Sequence, residues 1–110
     1  MTEKMLKFVN IGQQNPPKRD KLDRKEDFNE IYQEFLQDKA KEQSSRCSQC
    51  GVPFCQVHCP LSNNIPDWLK LTAEGRYEEA YHLSQSTNNM PEVCGRICPQ
   101  DRLCEGNCVI

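Results

Sequence analysis

A chain of 110 residues makes one domain at most, and at that size a hydrophobic core alone stabilises a fold only marginally. Only 36% of the residues are hydrophobic and the mean hydropathy is strongly negative, so other bonds must staple the chain, with eight cysteines available to make them. A formal charge of −2 and the lack of a long basic tract give no support to a nucleic-acid footprint, while a protein partner fits.

The start, Met1-Thr2-Glu3-Lys4-Met5-Leu6-Lys7-Phe8, has charges scattered through it and no apolar run long enough for a secretory signal or a membrane span. A cytoplasmic location without membrane attachment is therefore expected. In that reducing compartment, cysteines at short spacings are metal ligands more often than structural disulfides. Residues 10–23 are polar, with Pro16-Pro17 followed by Lys18, Arg19, Asp20 and Lys21. Proline lacks an amide donor and restricts its predecessor, so residues 1–26 are expected as an extended arm, either disordered or lying along a partner.

From Asp27 the pattern changes. Phe28, Ile31, Tyr32, Phe35 and Leu36 fall at i, i+3, i+4, i+7 and i+8, which predicts a helix over 27–43 with one apolar stripe facing a core. Asp27, with Glu30 three residues on, suits its N-terminus. This helix would open a domain over 27–110 and deliver the chain to Arg46 and Cys47.

The first cysteine block reads Cys47-x2-Cys50-x4-Cys55-x3-Cys59-Pro60. After it, Ser62-Asn63-Asn64-Ile65-Pro66 opens a second helical region, where Asn can cap and Pro tolerates the first turn. Trp68, Leu69, Leu71 and Thr72 give it a packing face, Gly75 stops it, and Tyr77, Ala80, Tyr81 and Leu83 resume the helical period to about Ser86. The expected product is a helical hairpin. Its Gly75-Arg76-Tyr77-Glu78-Glu79-Ala80 run is like part of a tetratricopeptide unit, but a lone unit does not make a solenoid. Asn88-Asn89-Met90-Pro91 breaks the hairpin, and a short helix through Val93, Gly95 and Ile97 would set Cys94 and Cys98 one turn apart. The second block reads Cys94-x3-Cys98-Pro99-x4-Cys104-x3-Cys108, in which Cys104 and Cys108 also stand at i, i+4. No run of β-alternation appears, and the fold class expected is all-α.

Eight thiolates are the right number for two four-iron clusters. Cluster iron takes soft anionic ligands, and a C-x2-C step lets two sulfurs reach neighbouring irons while the intervening amides point at sulfur. A proline directly after a ligand turns the backbone away and brings no amide that needs a partner. In the bacterial ferredoxin run C-x2-C-x2-C-x3-C-P, the fourth cysteine serves the other cluster. The middle gap here is x4, yet the ending Cys55-x3-Cys59-Pro60 is intact. By analogy Cys47, Cys50 and Cys55 go to one cluster and Cys59 to the other, with the second block returning a cysteine to the first. One block per cluster is the simpler alternative. Two four-cysteine zinc sites would use the same residues, but zinc modules favour two C-x2-C knuckles per site and this chain has one. Cys47-Ser48-Gln49-Cys50 lacks the βαβ surroundings of a thioredoxin-like site.

His58 lies between two cysteines but has no vacant site to fill, and His82 has no candidate role. Arg46, Arg96 and Arg102 stand close to cysteines, where they can offset cluster charge or be solvated. Gly12, Gly51, Gly75, Gly95 and Gly106 form no G-x-G-x-x-G, so no dinucleotide site is expected in this chain. No nucleophile and base pair is evident either, and no catalytic residue is assigned.

The run Arg46-Cys-Ser-Gln-Cys-Gly-Val-Pro-Phe-Cys-Gln-Val-His-Cys-Pro60, then Asn63-Asn64-Ile65-Pro66-Asp67-Trp68, then Cys94-Gly-Arg-Ile-Cys-Pro-Gln-Asp-Arg-Leu-Cys-Glu-Gly-Asn-Cys-Val109 closely resembles the N-terminal domain of the bacterial NADPH-dependent glutamate synthase small (beta) subunit. The same helical ferredoxin domain is shared, less closely, with dihydropyrimidine dehydrogenase and related flavin oxidoreductases. The resemblance covers essentially the whole chain. It implies an oxidoreductase part that holds two [4Fe-4S] clusters and carries no complete active site of its own. Electrons would run from NADPH and FAD, bound by domains that follow Ile110, to the FMN of the large (alpha) subunit, where glutamate is made from glutamine and 2-oxoglutarate. The resemblance also implies a ligand division: Cys47, Cys50, Cys55 and Cys108 on one cluster, and Cys59, Cys98 and Cys104 on the other. The last ligand of the second cluster is then a non-cysteine residue downstream of Ile110, or Cys94 in its place. Two further readings stay open: the electron-input domain of a related NAD(P)H flavin oxidoreductase, and a zinc-stapled module that docks on a large subunit through residues 10–43.

Overall fold

The computed structural model describes residues 5–34 and 36–110. Among these, six α-helices run in order: α1 (Lys21–Arg24), α2 (Gln37–Ser44), α3 (Phe54–His58), α4 (Ile65–Ala73), α5 (Tyr77–Ser84) and α6 (Pro91–Ile97). Short 3-10 turns lie at Lys7–Val9, Gln100–Arg102 and Glu105–Asn107. The described residues contain no strand beyond a single antiparallel bridge between Lys18 and Tyr32, so the all-α class expected from sequence is the one observed.

The α4–α5 hairpin forms as expected, except that the Asn64 side chain makes no capping bond to α4. Pro66 occupies the first turn of α4, where a missing amide costs nothing, and Asp67 beside it favours the positive helix end. At the other end Gly75 takes φ 82°, its amide bonds Thr72 O at 3.0 Å, and the Arg76 amide reaches back to Leu71 O at 2.9 Å. This pair of bonds is a Schellman cap, and it reverses the chain into α5. The Trp68 indole donates to Asn63 Oδ1 at 2.6 Å, and Asn63 Nδ2 donates to Ser84 O at 2.8 Å, tying the entry of the hairpin to its exit. Helix α4 also packs on α2 and α3.

The helix expected over 27–43 forms only in its last part, as α2. Residues 27–34 are not helical. The reason lies in the two acidic residues assigned to the helix start. Asp27 Oδ1 accepts from the Asn29 amide at 3.0 Å, and Glu30 Oε1 accepts from the Ile31 amide at 3.0 Å, so both carboxylates satisfy backbone locally in a non-helical path. Arg19 then clamps Asp27 with two bonds at 3.1 and 2.7 Å, and the Arg19 and Gln33 amides donate to Ile31 O and Pro17 O at 2.8 and 2.7 Å. The expected stripe is accordingly not core: Phe28 is fully exposed, Leu36 largely so and Ile31 and Tyr32 partly, while Phe35 lies outside the described residues.

Residues 5–15 run along this chain's own α2. The Leu6 amide donates to Cys47 O at 3.0 Å, Lys7 to Ser45 O at 2.9 Å, and the Arg46 guanidinium to Ile11 O at 2.8 Å. Gln43 completes the seam, its side chain donating to Gly12 O and accepting from the Gln14 amide. The apolar residues buried among those described are Met5, Pro66 and Ala80. The radius of gyration is 14.7 Å, against about 13 Å for a close-packed domain of this size. So sparse a core agrees with the expectation that hydrophobic burial does not hold this chain by itself.

Candidate cluster site

Each Cys-Pro step ends a helix. Helix α3 stops at His58 and α6 at Ile97, because a residue before proline is pushed out of helical geometry. Cys59 accordingly has φ −75° and ψ 125°, and Cys98 φ −73° and ψ 144°. Cys55 sits one turn before Cys59, and Cys94 one turn before Cys98, with the Cys98 amide bonded to Cys94 O at 3.0 Å. The chain thus makes the same short device twice.

The 3-10 turn Glu105–Asn107 packs against α3 and brings the end of the second block back to the first. Gly106 permits this: a Cβ there would stand 2.1 Å from Asp101 O, closer than any side chain can be accommodated. Asn107 Nδ2 donates to Leu103 O at 2.7 Å and closes the loop that carries Cys104 and Cys108.

These elements line an open cavity of about 540 Å³ whose wall includes Cys47, Cys50, Cys55, Cys104 and Cys108. Arg46 lies on the same wall, as do Gln13, Gln14 and Asn15 from the N-terminal segment and Pro66 and Leu69 from α4. Burial pushes the Cys55 thiol up; the Gln56 amide opposes that, and the neighbouring Cys47, Cys108 and Cys104 sulfurs add to the rise. Burial likewise raises Cys104, against the Glu105 amide, with Cys98 and Cys59 as the adjacent sulfurs. All eight cysteines are unpaired. Cys94 is not among the residues lining the cavity.

The Cys47–Cys50 loop turns hydrogen-bond donors toward sulfur. Gln49 adopts φ 54°, which points its amide at Cys47 Sγ at 3.4 Å, as expected for a C-x2-C step. Two contacts were not legible from the spacing. The Gln49 side chain donates to the same sulfur at 3.3 Å and to Pro66 O at 2.7 Å, and Ser48 Oγ lies 3.0 Å from Cys50 Sγ. The polar character of Ser48 and Gln49 was the available signal, but which sulfur each would meet depends on loop conformation. The part taken by Gln13, Gln14 and Asn15 had no local signal, since it depends on where the N-terminal segment docks.

Other candidates sit apart from the sulfurs. Arg96 is ion-paired with Glu30, which links α6 to the 27–34 segment. His58 and His82 are exposed, and His82 Nε2 is 4.0 Å from Glu78 Oε1. Among the described residues no three His, Cys, Asp or Glu side chains converge on a point that would hold a single ion, and no helix is long and apolar enough to cross a membrane.

The sequence matches, over residues 24–110, the family described as dihydropyrimidine dehydrogenase domain II, 4Fe-4S cluster. It is 69% identical over 108 residues to the glutamate synthase [NADPH] small chain of Azospirillum brasilense, covering 98% of this chain and 22% of that one. Against the glutamate synthase [NADPH] small chain of Escherichia coli it is 50% identical over 110 residues, covering 100% of this chain and 23% of that protein. A putative oxidoreductase of Escherichia coli is also 50% identical, over 88 residues, covering 79% of this chain and 13% of the relative. The chain thus spans less than a quarter of the length of the curated relatives it matches. A helical scaffold, thiols from both blocks on one wall and a match across most of the chain agree: the chain belongs to the 4Fe-4S domain family of dihydropyrimidine dehydrogenase domain II.

Proposed function

We propose that this chain is the electron-relay domain of an NADPH-dependent glutamate synthase small subunit, carrying two [4Fe-4S] clusters and passing single electrons from the NADPH and FAD domains of the same subunit to the FMN of the large subunit. The observation that carries the reading is the placement of Cys47, Cys50, Cys55, Cys104 and Cys108 on one cavity wall, three from the first block and two from the second. Soft sulfur donors gathered around one open cavity fit a cluster, and we assign Cys47, Cys50, Cys55 and Cys108 to the first one. Cys59, Cys98 and Cys104 are assigned to the second, supported by the Cys-Pro steps that follow Cys59 and Cys98 and by the family resemblance. Its remaining ligand is Cys94 or a residue beyond this chain. When bound, such clusters supply reversible one-electron storage.

The protein's own residues have three tasks in this reading. The thiolates anchor, the Ser48 and Gln49 donors offset negative charge at sulfur, and the α3, α4 and Glu105–Asn107 walls limit access of water. Residues 27–110 form the cluster domain and residues 1–26 its arm, a division supported by the start of the family match at residue 24. A cytoplasmic location goes with this assignment.

Anaerobically purified protein should be brown and contain iron and acid-labile sulfide, with paramagnetic signals on reduction. A colourless protein holding only stoichiometric zinc would sink the proposal and favour the docking module. Electron paramagnetic resonance of Cys108→Ser and Cys94→Ser tests ligation: Cys108→Ser should alter the first cluster, and Cys94→Ser distinguishes a ligand from a spare thiol. The second reading, electron input to another NAD(P)H flavin oxidoreductase, draws on the 50% identity to the putative oxidoreductase. Complementation of a strain lacking the glutamate synthase small chain, by the full-length protein, separates the two.

A further inference from the structure

We infer that Gln49 is a positioning residue that tunes the first cluster, donating its side-chain amide to the Cys47 sulfur from an anchor on helix α4. The inference rests on the cluster assignment above. Gln49 holds φ 54°, a left-handed conformation that L residues other than Asn and Asp seldom take and that glycine would adopt freely. The loop thus carries a long side chain where backbone geometry would favour none.

That side chain has two specific partners. Its Nε2 lies 3.3 Å from Cys47 Sγ and 2.7 Å from Pro66 O. A carboxamide nitrogen has two hydrogens, and here each has an acceptor. A carbonyl oxygen and a thiolate can only accept, so the NH2 end of the amide faces them and the reverse orientation would leave both without a donor. Pro66 is buried in the first turn of α4, and α4 packs on α2, α3 and α5, so the anchor is fixed by the body of the domain. The Gln49 backbone amide meets the same sulfur at 3.4 Å, giving Cys47 two donors from one residue. Negative charge at a ligand sulfur grows when the cluster is reduced. A donor held against that sulfur therefore favours the reduced form and raises the potential.

Two substitutions isolate the effect. Gln49→Gly keeps the backbone donor and suits the left-handed backbone, so it removes the side-chain donor alone. Gln49→Glu keeps the length and replaces both donors with a negative charge. Redox titration of the anaerobically purified full-length protein, followed by paramagnetic resonance, is read on the signal that Cys47→Ser alters, with iron and sulfide determined on every sample. Gln49→Gly should retain full iron and sulfide and move the midpoint of that signal to a more negative potential, leaving the other signal where it was. Gln49→Glu should move it further the same way. An unmoved midpoint at full occupancy overturns the inference, and so does loss of the cluster from Gln49→Gly, which would make the side chain a structural prop. Wild-type protein without iron and sulfide fails the cluster assignment itself, and is recognised before any variant is titrated.

Discussion

The segment before α2 and the region from α2 onward are equally poor in buried apolar residues, but they are held by different forces. In the first, residues 17–19 and 31–33 pair by two backbone bonds, Arg19 clamps Asp27, and Phe28, Ile31 and Leu36 face solvent. In the second, capped helices and proline-terminated turns carry eight thiols, five of which share one cavity wall. The difference teaches where stability resides. Surface ion pairs contribute little, whereas a site whose ligands come from distant parts of the chain makes ligand binding and folding one event.

The largest expected effect follows from that contrast. Removing iron and sulfide by chelation should unfold most of the region from α2 onward, read as loss of far-UV circular dichroism; an apo protein of unchanged dichroism and thermal stability would erase the distinction between the two regions. Cys55→Ser comes next, since Cys55 is a part-buried thiol on the cavity wall and belongs to the first cluster in the proposed assignment. Iron content should fall by about four atoms per chain, the complement of one cubane.

Gly106→Ala strikes the return of the second block to the first. The added Cβ meets backbone rather than a flexible side chain, so a loss of roughly 1–3 kcal/mol in denaturant unfolding is expected, together with weaker cluster retention. Gly75→Ala is milder. It strains the Schellman cap at φ 82° and presses on the end of the mobile Lys41 side chain at 3.1 Å, for a loss of roughly 1 kcal/mol and no change in iron content.

The smallest effect belongs to the first region. The Arg19 guanidinium holds Asp27 down to about 2 from its ordinary 3.8. A depressed carboxylate stabilises fully above its unfolded value and loses that contribution as pH falls through its folded one, so the clamp should weaken only between about pH 4 and pH 2. Asp27→Asn at neutral pH should speed amide exchange at Arg19 and Gln33 while leaving iron content and the α4–α5 hairpin unchanged. Slower exchange, or lost iron, would mean that the two regions are not separable.

Much of the scaffold was legible because its signals are local. Pro66, Gly75, Pro91 and the two Cys-Pro steps act on their own neighbours, and α4, α5 and α6 stand where those residues put them. The stretch 27–34 was not, because Asp27 and Glu30 suit a helix start and a local turn equally well. The choice between them falls to Arg19, eight residues before Asp27, and to Arg96, far along the chain from Glu30. The cavity wall divides along the same line. Thiol chemistry and the backbone donor at Gln49 follow from the C-x2-C step, whereas the Gln49 side-chain anchor needs Pro66 to lie 17 residues on and alongside.

The order of residues alone thus determined the helical class, the punctuation of the helices, and the soft, all-sulfur donor set that narrows the chemistry to cluster or zinc, since each rests on side-chain chemistry and nearest-neighbour backbone sterics. The sharing of one wall by the two blocks was expected from the Cys-Pro pattern and the resemblance, but that Cys104 joins Cys108 there came only from the packing of the Glu105–Asn107 turn on α3, with Gly106 permitting the approach. Spacing constrains a cysteine's neighbours along the chain, but proximity between the two blocks is a property of how helices dock, and no local rule encodes it.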